Sequence, residues 1–126
     1  MSTVPAVTTE GLPVLLAGPM RIDAPTVKAT ITDTTRAGVF VLVSEHSATG
    51  EFEYVGRANS ALNERLMAWM NSFGWAYWAY ADSARDAYEK ECRLFHHINP
   101  PANSRHPVAP EGSGQACPAC GKQVTQ

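Results

Sequence analysis

A glutamate in the apolar stripe of a predicted helix has the clearest capacity for chemistry in this chain. The helix is predicted to begin after Asp82 or Ser83, which can cap it, and to end before Asn99-Pro100. Its apolar stripe consists of Ala84, Ala87, Tyr88, Leu94, Phe95 and Ile98. Glu91 falls within this stripe, whereas Glu89 points elsewhere. A buried carboxylate is costly unless it is paired or binds a metal. Two interpretations follow: a structural salt bridge, for example to an arginine, or a ligand for a divalent cation such as Mg²⁺.

The C-terminal segment contains a second set of residues that suit a metal ion. Cys117-Pro118-Ala119-Cys120-Gly121 is a CPxCG knuckle, a turn that presents two thiolates to one ion. Tetrahedral zinc needs two more ligands, and Cys92 and His96 are spaced i, i+4 on one face of the predicted helix, beside the Glu91 stripe. We therefore predict a structural Cys₃His zinc site that ties the tail to this helix, formed by Cys92, His96, Cys117 and Cys120, with His97 and His106 as other candidate ligands. The alternatives are a Cys92 packed as a small hydrophobe and a reversible disulfide between Cys117 and Cys120.

Composition indicates a single soluble domain. The chain has 126 residues, of which 44% are hydrophobic and 17% charged. The net charge of −2 counts against broad coating of DNA but allows a small site that binds one or two phosphates. The longest apolar stretch, residues 11–20, is short and contains Pro13 and Pro19, so we expect no membrane span, and a cytoplasmic location. Three cysteines fit reduced thiols or a metal site better than a disulfide framework.

The prolines divide the chain into three parts. Four of the nine prolines fall within the first 25 residues, and the other five lie between Pro100 and Pro118. Because proline disfavours helix interiors and central strands, residues 26–99 should hold the regular structure. We predict an extended N-terminal arm over residues 1–36, a domain over 37–103, and a Pro/Gly-rich tail over 104–126 packed on that domain. The arm is a candidate to cover an exposed sheet edge.

The expected elements of the domain are three strands and two helices. Residues 38–44 and 52–55 read as an antiparallel pair of strands joined by a turn at 47–50, with Gly56 ending the second strand. A helix over 61–70 follows, and the long helix that contains Glu91 comes last. The aromatic segment 75–81 is predicted to be a strand covered on both faces, although such a run could also stack nucleobases. The order predicts an α+β fold with a small three-stranded antiparallel sheet flanked by helices.

These residues resemble the GIY-YIG endonuclease superfamily. Gly38-Val39-Phe40 is similar to the first motif and Tyr54-Val55-Gly56 to the second, with Glu91 on the following long helix and Asn103 twelve residues later. The stretch Tyr54 to Asn59, running into Arg65, is similar to the nuclease domain of the bacterial excision-repair incision subunit, with one residue inserted. The resemblance covers roughly residues 37–103, about half the chain.

The resemblance implies a metal-dependent nuclease and assigns a role to each of these residues. Tyr54 would deprotonate or orient the attacking water, Glu91 would hold one Mg²⁺ or Mn²⁺, and Arg65 would stabilise charge on the phosphate. Arg57 would contact the phosphate, and Asn103 would orient the backbone or the substrate near the site. Phe40 stands in the substrate region where the first motif usually has tyrosine. Tyr54 as a sheet aromatic and Arg65 as a solvated helix arginine are the alternative interpretations.

Three functions follow as hypotheses. The first is an endonuclease acting on nucleic acid, DNA rather than RNA, with a protein partner supplying specificity. The second is a non-catalytic interaction module with the same fold, and the third is an enzyme repurposed for a small anionic substrate. Phe40, and Trp69 at about a position where the family often has tyrosine or histidine, are departures that keep the second and third open.

Overall fold

The computed structural model describes residues 9–44, 52–103 and 105–124, which form four strands and three helices. In chain order these are β1 (Ala17–Arg21), α1 (Ala24–Thr30), β2 (Gly38–Val43), β3 (Tyr54–Ala58), α2 (Leu62–Met67), β4 (Trp75–Tyr80) and α3 (Ala84–Ile98). The architecture is α+β, with one antiparallel sheet in the order β1-β4-β2-β3. The predicted fold class is thus confirmed, while the expected number of strands was one too low.

The fourth strand lies in the region that we expected to be an extended arm. β1 pairs with β4 at one edge of the sheet, so the expectation that this region covers a sheet edge is confirmed. The register shifts between Ala17 and Met20, around Pro19. Proline lacks a backbone donor and is tolerated in edge strands and at bulges, which is why a proline-containing segment can join the sheet here.

The arm also contains a short helix, α1, that was not predicted from the sequence. The side chain of Asp23 accepts a hydrogen bond of 2.8 Å from the backbone N–H of Thr26 and so caps α1. Pro25 stands in the first turn, where its missing N–H would have no partner in the helix. Val27 is buried on the inner face of α1 and anchors it to the sheet.

Apolar side chains cover both faces of the sheet. Alternation along β2 sends Val39, Val41 and Val43 towards α3 and Phe40 and Leu42 towards α1 and α2. All six residues of β2 are buried, as expected for a central strand between two helical layers. The aromatics of β4 also alternate, with Trp75 and Tyr77 in one core cluster and Trp78 and Tyr80 packed against the other. The prediction of a strand covered on both faces is confirmed.

Several boundaries differ from those expected. β3 begins at Tyr54 and continues through Gly56 to Ala58, so the prediction that Gly56 ends the strand was wrong. α2 ends at Met67, short of the predicted residue 70, and a series of turns follows it to Gly74. α3 agrees with its predicted bounds, with Ser83 as the N-cap and Asn99 as the C-cap. The predicted turn at 47–50 lies outside the described residues.

Candidate functional site

A cleft of about 380 Å³ runs along the outer edge of β3. Because β3 is an edge strand, side chains from both faces of the sheet reach the same opening. The lining includes five of the residues singled out from the sequence: Phe40, Tyr54, Arg57, Arg65 and Glu91. The other residues that line the cleft include Asn59, Ser60 and Val108. The structure therefore brings together candidate residues from two strands and two helices, with Val108 contributed by the tail.

Arg57 and Glu91 form an ion pair on the α3 side of the cleft. Arg57 Nη1 donates a hydrogen bond of 2.6 Å to Glu91 Oε1, and their side chains are only 13% and 11% exposed. The guanidinium carbon lies 5.1 Å from the centre of the Tyr88 ring, and Arg57 Nε donates to Asn59 Oδ1 at 2.8 Å. The salt bridge to an arginine, one of the two interpretations of Glu91, is thus present. Stacking and two hydrogen bonds hold the guanidinium in one orientation.

The charge state of Glu91 reflects two opposing effects. Burial raises the pKa of this carboxyl group above its usual value. The charge of Arg57 and its hydrogen bond lower the pKa, as does the charge of Arg65, but the net direction is upward. Glu91 is therefore an ionisable group kept in a largely water-excluded position at the cleft.

Tyr54 reaches the cleft from the opposite face of β3. Burial raises the pKa of its hydroxyl, Glu91 raises it further by charge, and Arg65 lowers it. The phenol therefore keeps its proton at neutral pH. Arg65 stands in the last turn of α2 and is exposed to solvent. A protonated hydroxyl and an accessible guanidinium thus lie near the Arg57–Glu91 pair, an arrangement suited to binding an anion.

Aromatic packing holds the ring of Tyr54 in place. The centre of its ring lies 4.5 Å from that of Trp69 and 6.4 Å from that of Phe40. Trp69 occupies the turns after α2, so the expectation that it lies on the helix was wrong. A Cβ atom on Gly56 would lie 2.7 Å from the Phe40 ring and 2.9 Å from that of Tyr54. Glycine is therefore required at position 56 for both rings to pack beside β3.

Asn103 contacts β3 and is not part of the cleft lining. Its Oδ1 accepts a hydrogen bond of 3.2 Å from the N–H of Val55, and its Nδ2 donates one of 2.8 Å to the carbonyl of the same residue. The side-chain amide thus pairs with the free edge of the strand as a neighbouring strand would. This contact satisfies two buried backbone groups and fixes the position of the segment that begins the tail.

Four metal-ligand side chains meet on the outer side of α3. His96, His106, Cys117 and Cys120 have ligand atoms that all lie within 4.8 Å of one another, so the group could hold a metal ion. His106 takes the place that we predicted for Cys92, and His97 is exposed to solvent. The predicted meeting of the knuckle with α3 is present, and Cys92, a member of the predicted ligand set, lies outside this group.

Cys92 packs in a small buried cluster with Tyr88, Ala109 and Cys117. Burial raises the pKa of its thiol to about 12, so it stays protonated and behaves as the small hydrophobe that was the alternative interpretation. Burial acts in the same direction on Cys117, but the backbone N–H groups of Cys120 and Ala119 and the neighbouring thiols outweigh it. They lower the pKa of Cys117 to about 6. The two cysteines differ because only Cys117 receives hydrogen bonds from the knuckle backbone.

Three residues contribute to the cleft in ways that were not predicted from the sequence. Asn59 positions Arg57, Tyr88 lies beneath its guanidinium, and Val108 lines the cleft. Asn59 follows Arg57 by two residues, so it projects to the same side of the strand end, a signal available from the sequence. Val108 depends on the path of the tail and has no local signal.

Comparison with protein-family models, curated proteins and solved structures finds no match to this chain. Within the described ranges, none of the helices combines the length and apolar character needed to cross a bilayer.

Proposed function

We propose that this chain is a divalent-metal-dependent endonuclease that hydrolyses a nucleic-acid phosphodiester in the cleft along β3. The observation that carries the proposal is the convergence of Tyr54, Arg57, Arg65 and Glu91 on one opening at the edge of the sheet. Two guanidinium groups outweigh one carboxylate there, so the lining favours a singly charged phosphodiester group. The surrounding chain has a net charge of −2, so attraction to nucleic acid is concentrated at the cleft.

Each of the four residues has a role that follows from its surroundings. Arg65 is accessible and can form paired hydrogen bonds with phosphate oxygens as negative charge develops on them. Tyr54 keeps its proton, so it orients the attacking water through its hydroxyl and does not act as a phenolate base. Arg57 is held by Tyr88 and Asn59 and presents a second, preorganised cation to the phosphate.

Glu91 is the residue that would hold the divalent ion. It is the one carboxylate among the described residues that line the cleft, and since Arg57 donates to Oε1, Oε2 is the oxygen that would bind the ion. One carboxylate, with water and substrate oxygens completing the shell, is a usual set for Mg²⁺ or Mn²⁺. A bound ion would supply Lewis-acid stabilisation of the leaving oxygen. The His/Cys group on α3 offers nitrogen and sulfur, which suit zinc in a structural role, so two kinds of ion are assigned to two places.

The arrangement of the motifs supports the resemblance to GIY-YIG nucleases. Phe40, the last residue of the first motif, pairs with Gly56, the last of the second, on adjacent antiparallel strands. Glu91 on α3 and Arg65 on α2 approach this pair of strands from its two faces. The small cleft suggests that substrate selection depends on the shape of the DNA or on a protein partner.

The test is a cleavage assay on labelled single-stranded, duplex and flapped DNA, and on RNA, with Mg²⁺ or Mn²⁺. Glu91→Ala is expected to lose at least ~100-fold in rate and Arg65→Ala a similar amount, since each removes a charge that acts on the phosphate. Glu89→Ala is the matched control, because it removes a carboxylate from the same helix outside the cleft. Circular dichroism of each variant would show that the fold persists. Equal rates for wild type and Glu91→Ala would contradict the proposal.

A second candidate function is favoured by one observation. The 2.6 Å contact with Arg57 satisfies one oxygen of Glu91 within the protein, as it would in a site that binds an anion without a catalytic metal. An interaction module, or an enzyme for a small anionic substrate, would use Arg65 and Arg57 in this way. DNA binding that is unchanged by Mg²⁺, without cleavage, would favour the module. Turnover of a small phosphate ester, but not of polynucleotide, would favour the enzyme.

A further inference from the structure

The tail returns to α3 at a group of two imidazoles and two thiols. His96 lies in the last turns of α3, His106 follows the Pro100-Pro101 segment, and Cys117 and Cys120 come from the knuckle. Cys117 is buried, both histidines are half-buried and Cys120 is exposed, so the group lies between the core and the surface. Three separate parts of the chain therefore converge on one point.

Two separations within the group are close to those of a tetrahedral zinc site, and all the ligand atoms lie within 4.8 Å of one another. With Zn–N distances of about 2.05 Å and Zn–S distances of about 2.3 Å, tetrahedral geometry puts two nitrogens about 3.3 Å apart and a nitrogen and a sulfur about 3.6 Å apart. The observed separations are 3.1 Å between His96 Nε2 and His106 Nε2, and 3.3 Å between His106 Nε2 and Cys120 Sγ. These atoms thus need only small adjustments to surround one ion.

Contacts around the ligands orient them for a metal. The Nδ1 of His106 lies 2.8 Å from the carbonyl oxygen of Pro107, which is positioned to accept its proton. This contact places the proton on Nδ1 and leaves the lone pair of Nε2 directed into the group, the usual arrangement for a metal-bound histidine. In the knuckle, the N–H of Gly121 donates to the Cys117 carbonyl, and the N–H of Cys117 donates to the Lys122 carbonyl, both at 2.8 Å. The turn that presents the two thiols is therefore closed by backbone hydrogen bonds.

We propose that His96, His106, Cys117 and Cys120 bind one structural Zn²⁺ that fastens the tail to α3, and that Cys92 is not a ligand. Four protein ligands complete a tetrahedral shell and leave no position for substrate, so the ion has no catalytic role. Cys92 is fully buried among Tyr88, Ala109 and Cys117, on the core side of the group. This inference is independent of the nuclease proposal, because none of the four ligands lines the β3 cleft.

The zinc site also has a consequence for the position of the tail. Val108, which lines the cleft, lies two residues after His106, and the N–H of Ala109 donates a hydrogen bond of 2.8 Å to the carbonyl of Val124. Gln115 Nε2 donates to the carbonyl of Arg85 on α3 at 3.1 Å. Among the described residues of the tail, only Pro107, Ala109, Gln115 and Cys117 are buried. The binding energy of the ion would therefore contribute much of what keeps this segment folded.

The experiment is a measurement of zinc per chain in purified full-length protein, by elemental mass spectrometry, for wild type and single variants. Wild type, Cys92→Ala and His97→Ala are expected to hold one equivalent. His106→Ala and Cys120→Ser are expected to lose zinc or to bind it at least ~100-fold more weakly in competition with a chelator. His97→Ala is the matched control, because it removes the exposed imidazole next to His96. Reconstitution with Co²⁺ provides a second readout, since its thiolate charge-transfer band reports the number of sulfur ligands.

The outcomes separate the alternatives. Two sulfurs per Co²⁺, unchanged in Cys92→Ala, would support the proposed ligand set. Loss of zinc in Cys92→Ala, with zinc retained in His106→Ala, would overturn it in favour of the Cys₃His set. Wild-type protein that contains no zinc and takes up none would overturn the site altogether, as would a Cys117–Cys120 disulfide in freshly purified protein. Circular dichroism identifies variants that fail to fold. If a variant does not fold, the Co²⁺ spectrum of the wild-type protein still distinguishes two sulfur ligands from three.

Discussion

Replacing Arg57 by methionine would test the energetics of the cleft, because it leaves the carboxylate of Glu91 without its cation. Both side chains of the pair are nearly buried, at 13% and 11% exposure, and their 2.6 Å contact is direct. Removal of one partner from such a pair destabilises a protein by about 3–5 kcal/mol, whereas exposed pairs contribute about 0–1 kcal/mol. Because Glu91 is buried, the larger loss expected for a buried pair applies here. The pair between Asp86 and Lys90 on the same helix is more exposed, at 26% and 27%, and provides a comparison.

The assay is urea unfolding followed by tryptophan fluorescence, with no chelator and no divalent ion added. With a urea dependence of ~1.5 kcal/mol/M, a loss of 3–5 kcal/mol lowers the midpoint of Arg57→Met by about 2–3 M at pH 7.5. Lys90→Met should shift it by less than about 0.5 M, as expected for an i, i+4 surface pair. The double variant Arg57→Met/Glu91→Leu should recover most of the loss, because apolar side chains can replace both members of a buried pair.

The pH dependence of this variant has a defined sign. Burial raises the pKa of Glu91 in the folded state, and the charge of Arg57 is the largest effect that lowers it. Without Arg57 the folded pKa lies further above the unfolded value of about 4.3, so the folded protein binds more protons than the unfolded one between these two values. The stability of Arg57→Met should therefore rise as the pH falls from 7.5 to 5.5, more steeply than that of wild type. A loss below 1 kcal/mol at pH 7.5, with the same pH slope as wild type, would refute the assignment of a buried ion pair.

Three further predictions concern the residues around β3. Gly56→Ala should lower stability by about 1–3 kcal/mol, because the new Cβ would lie 2.7 Å from the Phe40 ring, and adding Phe40→Leu should restore part of the loss in thermal unfolding. An additional Phe40→Leu change that gives no recovery would mean that a different contact is responsible. Asn103→Ala should lower the free energy of unfolding by about 1–3 kcal/mol, because it leaves the N–H and carbonyl of Val55 without partners. Hydrogen exchange at the Val55 amide should become faster, and unchanged exchange there would contradict the edge contact. The pKa of Tyr54 is raised above 10, so wild type and Tyr54→Phe should have pH–rate profiles of the same shape below pH 10. An ionisation below pH 10 that is present in wild type and lost in Tyr54→Phe would show that the phenol acts as a base.

The sequence by itself determined the central elements of the fold. β2 and β4 are uninterrupted apolar or aromatic segments, and α3 has a side-chain cap at Ser83 and an end at Asn99-Pro100, so local signals defined them. The same signals placed Glu91 within the apolar stripe of α3, where the structure has it buried. Periodicity works for these elements because burial repeats along them at a fixed interval.

The edges of the fold depended on tertiary context. β1 contains Pro19 and α1 is only seven residues long, so neither has a strong local pattern. Each is stabilised by the surface it covers, β1 by pairing with β4 and α1 by burying Val27. β3 continues beyond Gly56 because pairing with β2 and the packing of Phe40 outweigh the usual tendency of glycine to end a strand.

The candidate sites show the same division. Spacing on α3 identified His96 and Cys92 as neighbours on one face, and the knuckle identified Cys117 and Cys120 as a pair. Helical spacing could not decide whether Cys92 or His106 joins them, because His106 is in the tail, and its position depends on the Asn103 contact with β3 and on the path that follows. The sequence could not identify the residue that pairs with Glu91 for a similar reason. Arg57 lies 34 residues away in sequence, and only the packing of β3 against α3 brings the two charges into contact.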